Sequence, residues 1–242
     1  MFLRLLQAPR LGLADQMALD ETLLDAAPPA PCLRLYRWTP ASVPSATFGY
    51  AQRHADVLQT LPPHLRRRCT RRPTGGGIVI HDIDLTFSLV APRALLPAAP
   101  ADLYLALHNA IAAALSSALA LPLRLVPPSP AEPMPLRPCQ SVVTDVAPAS
   151  QCFLAPVPAD LLAPDGHKVL GGALRRRATH VLYQGSLRLE GARTCLHDAC
   201  ADALLSALLA LFHLSAALPL TAPPPVPALL ARYASPAWIA RR

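Results

Sequence analysis

Lysine is almost absent from this sequence. Lysine and arginine together number 22, yet Lys168 is the sole lysine. A function that needs a compact, tunable ammonium instead of the always-charged guanidinium fork is therefore confined to one position. Aromatic residues are scarce at 5%, and none interleave with the arginine clusters Arg66–Arg68, Arg71–Arg72 and Arg175–Arg177. That scarcity argues against a base-stacking surface, so no nucleic-acid partner is expected. Cys32, Cys69, Cys139, Cys152, Cys195 and Cys200 contain no C-x-x-C pair, which removes finger-type metal sites. Cys195 and Cys200 bracket His197, but both read as small apolar fillers, and no metal is expected. The Ala-Leu run from Ala203 to Phe212 is broken or flanked by Asp202, Ser206, His213 and Ser215. A membrane span needs about 20 uninterrupted apolar residues, so no membrane association is expected. Met1-Phe2-Leu3-Arg4 meets an arginine at once and lacks a small-residue cleavage site, so the expected setting is cytoplasmic and reducing.

What is present is a core-forming composition. Of 242 residues 52% are hydrophobic, and the formal charge is +7. That charge suits an acidic partner, and a small acidic carrier domain fits better than nucleic acid. The 29 prolines cluster between periodic segments and read as loop punctuation. Helices are expected over residues 14–26, with Asp15 capping, and over 56–61, 101–121 and 196–218. Leu103, Leu107, Ile111, Leu115 and Leu119 supply the helical spacing of the third. Strands are expected near residues 3–13, 32–38, 43–50, 66–72, 78–80, 85–90, 168–170 and 181–189. In this reading 78–80 and 85–90 form a hairpin, and an arginine turn separates the last two strands. The fold class is α+β, a mixed sheet flanked by helices. One catalytic domain over 1–218 is expected, followed by a proline-containing tail over 219–242, packed on it or flexible.

Two stretches stand out. Arg71-Arg72-Pro73-Thr74-Gly75-Gly76-Gly77 leads into Ile78-Val79-Ile80-His81-Asp82. Three glycines let a ligand lie against backbone amides, although the same triplet also serves as a plain turn. The second stretch is His167-Lys168-Val169-Leu170-Gly171-Gly172-Ala173, where small residues after the lysine leave room for a ligand chain. Arg72 faces either a bound acyl or nucleotide group or the solvent. His81 is either a wall of an acyl site or a polar residue at a hairpin tip. Asp20-Glu21 reads as a fold anchor instead of a chemical group.

The first stretch, followed by Leu85-Thr86-Phe87-Ser88, resembles the R-R-x-S/T-G-G-G-x-V-x-H-D segment of the lipoate–protein ligase and octanoyltransferase superfamily. The second, with Gln184-Gly185-Ser186-Leu187, is similar to that superfamily's G-x-K-x-x-G-x-A and Q/H-G-S/T-L/I elements. Ala14–Glu21 resembles its N-x-A-x-D-E helix, and Thr47-Phe48-Gly49-Tyr50-Ala51-Gln52 its strand end. The resemblance covers roughly residues 10–215. It implies the biotin/lipoyl-ligase catalytic fold, related to class II aminoacyl-tRNA synthetases. It also implies an acyl site drawn from Arg72, Thr74, Gly75, Gly76, Gly77, His81, Gly171, Gly172, Ala173 and Gly185.

Two chemistries share that architecture. A ligase activates a free acid with ATP and Mg2+. A transferase needs no cofactor and holds the acyl group as an enzyme thioester. In the cysteine-dependent transferases that resemble the ligases, the nucleophile lies in a loop before the G-x-K motif, often as C-F. Cys152-Phe153 stands sixteen residues before Lys168. A nearby ammonium lowers a thiol's pKa and favours the reactive thiolate, so Cys152 and Lys168 are the expected catalytic pair. The alternative for Cys152 is a buried apolar cysteine. The expected reaction moves an octanoyl or lipoyl group from acyl carrier protein to a lysine of a lipoyl domain or glycine-cleavage H protein. An ATP-dependent lipoate ligase and a non-catalytic acyl- or carrier-binding module are the alternatives. The chain length leaves no room for the accessory domain that several ligases carry, which favours the transferase. Leu174 replaces the glutamine that the superfamily pattern has after G-x-A.

Overall fold

The structure, a computed structural model, describes residues 2–7, 9–127, 156–189 and 194–241; Cys152 lies outside them. Its elements are β1 (Leu3–Gln7), α1 (Leu13–Ala26), β2 (Cys32–Leu35), β3 (Ser45–Phe48), α2 (His54–Thr60), β4 (Cys69–Arg71), β5 (Val79–His81), β6 (Leu85–Pro92) and α3 (Pro100–Leu119). They continue with β7 (Arg124–Leu125), β8 (Leu161–Leu162), β9 (Lys168–Arg176), β10 (His180–Leu187), α4 (Thr194–Leu211), β11 (Ala217–Thr221), α5 (Pro227–Ala234) and α6 (Pro236–Ile239).

The described residues form an eight-stranded mixed sheet in the order β11-β1-β2-β6-β10-β9-β8-β7 and a three-stranded sheet in the order β4-β3-β5. Period-two alternation along β6 explains the helices on both faces. Phe87, Leu89 and Ala91 point into a core built with Leu107, Ile111 and Leu115 of α3 and Leu204 and Leu208 of α4. Val90 points the other way, onto Leu19, Leu23 and Leu24 of α1. The expected mixed sheet with flanking helices is what forms.

Several local expectations are corrected. The segments 78–80 and 85–90 are not a hairpin. β6 is buried along almost its whole length, and its two edges are taken by β2 and β10. β5 therefore pairs with β3 in the smaller sheet, with Ala46 opposite Ile80 and Thr47 opposite Val79. β9 runs on to Arg176, so Arg175 and Arg176 belong to a strand, and the turn to β10 is made by 177–179. α1 is capped at Gly12; Asp15 sits inside the first turn, where a negative charge still suits the helix dipole. The last long helix stops at Leu211. His213 adopts a left-handed conformation with φ 52°, and the chain then enters β11, which pairs in parallel with β1.

β11 crosses the 218/219 position expected as the boundary of a tail. Beyond it, Tyr233 and Trp238 are buried against Met17, Ala18 and Tyr36. The fully buried Arg71 fastens this region. Its guanidinium donates to the carbonyls of Tyr50 at 2.6 Å, Gln52 at 2.7 Å, Trp238 at 3.1 Å and Ile239 at 3.1 Å, and also to that of Arg241. The Trp238 indole N–H donates back to the Arg71 carbonyl at 2.9 Å.

Candidate active site

The glycine loop is held by close backbone approach from one side and by an arginine from the other. A Cβ on Gly49, at the end of β3, would fall 2.0 Å from the carbonyl oxygen of Gly76, so the two backbones touch. Gly76 itself has φ +86°, a conformation that side chains disfavour. Arg72 is buried, so its solvent-facing reading is excluded. Its guanidinium donates to Gly75 O at 2.6 Å, Gly77 O at 2.8 Å and Thr47 Oγ1 at 3.3 Å.

Between this loop and the β9–β10 hairpin lies a narrow cavity of about 40 Å3. Of the residues expected in an acyl site, Arg72, Gly76, His81, Gly171, Gly172, Ala173 and Gly185 line it. Thr74, Gly75 and Gly77 support the wall instead of forming it. Thr74 Oγ1 donates to Gln184 Oε1 at 2.6 Å, and the carbonyls of Gly75 and Gly77 accept from Arg72. Gly172 has a packing reason to be glycine as well: a Cβ there would meet the Tyr183 hydroxyl at 2.1 Å. The lining also includes Met17, Tyr36, Thr47, Val79, Thr86, Gln184 and Ser186, which sequence reasoning did not single out. Thr47, Thr86, Gln184 and Ser186 all fall inside the motif segments, so a signal was there.

His81 sits in an ordered chain of hydrogen bonds. Its Nδ1 lies 2.9 Å from Asp84 Oδ2, and its Nε2 lies 2.9 Å from Thr47 Oγ1. Arg72 also donates to Thr47 Oγ1, so the hydroxyl links the guanidinium to the ring. Burial alone would raise the pKa of Asp84. The His81 ring and the hydroxyls of Thr86 and Ser186 outweigh burial and hold that carboxyl below its ordinary range. The arrangement holds the imidazole between a buried carboxylate and the cavity-facing Thr47 hydroxyl.

A second network ties the loop to α1. Gln184 Nε2 donates to Asp20 Oδ2 at 2.7 Å, and Ser88 Oγ donates to Asp20 Oδ1 at 2.7 Å. Arg34 and Tyr36 donate to the same carboxylate. Both Asp20 and Arg34 have fully buried side chains. The fold-anchor reading of Asp20 matches these contacts.

Lys168 opens β9. Its ammonium is buried and lies 2.7 Å from Asp160 Oδ2. Burial lifts the Asp160 carboxyl above its usual range, against the pull of that ammonium. Beside the pair, His108 of α3 donates from Nδ1 to Ala159 O at 2.6 Å and accepts at Nε2 from the Tyr183 hydroxyl at 2.7 Å. Burial, opposed by the Ala159 bond and reinforced by the Lys168 charge, pushes the His108 pKa down to about 4 from 6.5. The unfolded chain therefore binds the proton more tightly. Stability is fully present above pH 6.5 and falls as pH drops toward 4, by on the order of 3 kcal/mol over that window. Urea titrations across the window should show this loss, and His108→Gln should flatten that part of the slope.

Among the described residues no group of three His, Cys, Asp or Glu is placed to hold a metal ion. His197 Nε2 donates to the Ile83 carbonyl at 2.9 Å, and Cys200 packs in the core between α3 and α4. No described helix is long and apolar enough to cross a membrane.

Residues 13–204 match the family model of the lipoyl protein ligase A/B catalytic domain. Octanoyltransferase LipM of Geobacillus kaustophilus is 30% identical over 182 residues, 73% of this chain and 62% of that protein. The chain thus spans less than two thirds of that relative's length. Among solved structures, a T. acidophilum protein with bound lipoic acid superposes with a TM-score of 0.68 at 20% identity, over 99% of this chain and 100% of that one. A lipoate-protein ligase A bound with ATP gives 0.69 at 19% identity over 99% of each. At these identities the structures speak for the fold.

Proposed function

This chain belongs to the lipoyl protein ligase A/B catalytic domain family, and from that premise we propose that it transfers an octanoyl or lipoyl group from acyl carrier protein to a lysine of a lipoyl domain or glycine-cleavage H protein. The acyl group passes through a thioester on Cys152, in the cytoplasm and without a cofactor. Lys168 stabilises the Cys152 thiolate and then the oxyanion of the tetrahedral intermediate, where one donor is worth roughly 3 kcal/mol. The observation that carries this reading is the slot between the glycine loop and β9–β10, walled largely by backbone and carbon, on a strand that opens with the buried sole lysine. The 30% identity to an octanoyltransferase over most of the chain supports the transferase form over the ligase. A cavity of about 40 Å3 holds little more than water, so loading an eight-carbon chain requires the walls to part.

Intact-mass spectrometry after incubation with octanoyl carrier protein tests the proposal. Wild type should gain one octanoyl group that hydroxylamine removes, and Cys152→Ala should gain none. An equal adduct on the variant would remove Cys152 from the mechanism. Pyrophosphate release from ATP and lipoate would select the ligase, which needs ATP and Mg2+. An acceptor left unchanged by every acyl donor would select a binding module.

A further inference from the structure

We propose that Arg175 and Arg241, both stacked on Tyr50 beside the glycine loop, form a binding site for a phosphate ester on the arm that carries the acyl group. The inference rests on the transfer reading above and adds to it a place where the donor is held outside the slot.

Position comes first. The Tyr50 amide donates to Thr74 O at 2.8 Å, and Arg175 Nη1 donates to Pro73 O at 3.2 Å. Both residues therefore touch the segment that leads into Gly75–Gly77. Arg175 lies on β9 two residues beyond Ala173, which lines the cavity. Ala173 and Arg175 therefore share one face of β9, with Arg175 nearer the turn to β10.

The geometry is built instead of incidental. The guanidinium carbon of Arg175 lies 5.1 Å from the Tyr50 ring centre, and that of Arg241 lies 4.6 Å from the same ring. Arg241 also lies 5.5 Å from the Trp238 ring, and its carbonyl is gripped by Arg71. Tyr50, Arg175 and Arg241 are half-buried.

Several arginines are already neutralised. Arg34, Arg177, Arg188 and Arg232 each have a carboxylate partner, so part of the Arg175–Arg177 cluster is already neutralised by α1. Among the described residues neither Arg175 nor Arg241 has a carboxylate within ion-pair distance. Both guanidinium groups lie against one ring without a carboxylate to neutralise them, and a bound anion would offset their charge. Guanidinium forks match phosphate oxygens bidentately, which selects a phosphate ester over a halide or a single carboxylate. The acceptor lysine brings no phosphate. A phosphopantetheine thioester does, at the far end of a flexible arm whose acyl end would occupy the slot. A nucleotide is the other source of the same chemistry.

Two minimal donors separate these sources: octanoyl-4′-phosphopantetheine and octanoyl-pantetheine, which differ by the phosphate alone. Acylation of the full chain is followed by intact mass for wild type, Arg175→Gln, Arg241→Gln and the double variant. Wild type should use the phosphorylated donor with a KM about tenfold lower, and added salt should shrink the difference. The double variant should lose that preference through KM with kcat little changed, and Arg175→Lys should restore part of it. Each single variant gives a separate reading if the double variant melts early. Equal use of both donors by wild type, or a preference that survives in every variant, overturns the assignment. Loss of ATP-dependent pyrophosphate release in the variants, with donor preference intact, gives the site to a nucleotide and likewise overturns it. If neither thioester acylates wild type although octanoyl carrier protein does, the arm's phosphate is not what is recognised and this assignment is overturned; if the carrier protein fails as well, the transfer reading has failed.

Discussion

Asp20→Ala should lower the melting temperature by on the order of 10 °C. Asp20 and Arg34 are both fully buried, and the Asp20 carboxylate also accepts from Ser88 and Gln184 at 2.7 Å and from Tyr36. Removing it strands a guanidinium in the interior. Breaking a buried pair from one side costs about 3–5 kcal/mol. For a chain of this size each kcal/mol moves Tm by about 2–4 °C. Arg34 keeps a bond to Gln16, which softens but does not replace the lost charge. Among the described residues Arg34 Nε already lacks a partner, so they offer no spare acceptor. The effect should reach the slot, because Gln184 bridges Asp20 to Thr74 of the glycine loop. Differential scanning calorimetry of the variant decides the point; a melt within about 2 °C of wild type would mean that water or rearrangement satisfies Arg34.

Lys168→Arg should slow formation of the octanoyl-enzyme by about a hundredfold or more at a smaller cost to stability than Lys168→Ala. The substitution keeps a positive charge opposite Asp160, so the buried carboxylate is not orphaned. It changes shape and chemistry. The ammonium sits 2.7 Å from Asp160 with its side chain only 2% exposed, and a planar fork on a longer stem cannot occupy the same point. Arginine also cannot surrender a proton under ordinary conditions. Lys168→Ala is the less informative variant, because it leaves Asp160 buried without its cation and costs about 3–5 kcal/mol of stability. Quench-flow mass spectrometry with octanoyl carrier protein reads the rate. Near-wild-type acylation by Lys168→Arg would show that charge alone suffices and that the lysine has no specific role.

The glycine loop, the lysine strand and the long helix α3 were legible because their signals are local. The apolar spacing of Leu103, Leu107, Ile111 and Leu115 describes one face of one helix, and that face is buried. Arg34 was less legible. Alternation places it opposite Leu33, which says nothing about whether that face is wet; α1 covers it and brings Asp20 as its partner. The end of α4 was misjudged for a related reason. Leucine and alanine continue past Leu211 around His213 and Ser215, while the competing pull comes from β1, more than 200 residues away in sequence. The false hairpin at 78–90 has the same origin, since strand partners are chosen by which edges are free. In the site, Thr47, Thr86, Gln184 and Ser186 stood inside recognisable segments. Their participation became visible only when β3, β6 and β10 were brought to one cavity.

The bonds from Arg71 to Trp238, Ile239 and Arg241 span 167–170 residues. A ribosome adds roughly 5–20 residues per second, so this guanidinium waits about ten to thirty seconds for those acceptors to be made. Throughout that interval a cation destined for the interior stays hydrated, and the segment joining it to the three glycines has no C-terminal brace. The loop where chemistry is proposed to occur is thus braced only after the strands at the centre of the large sheet have been synthesised.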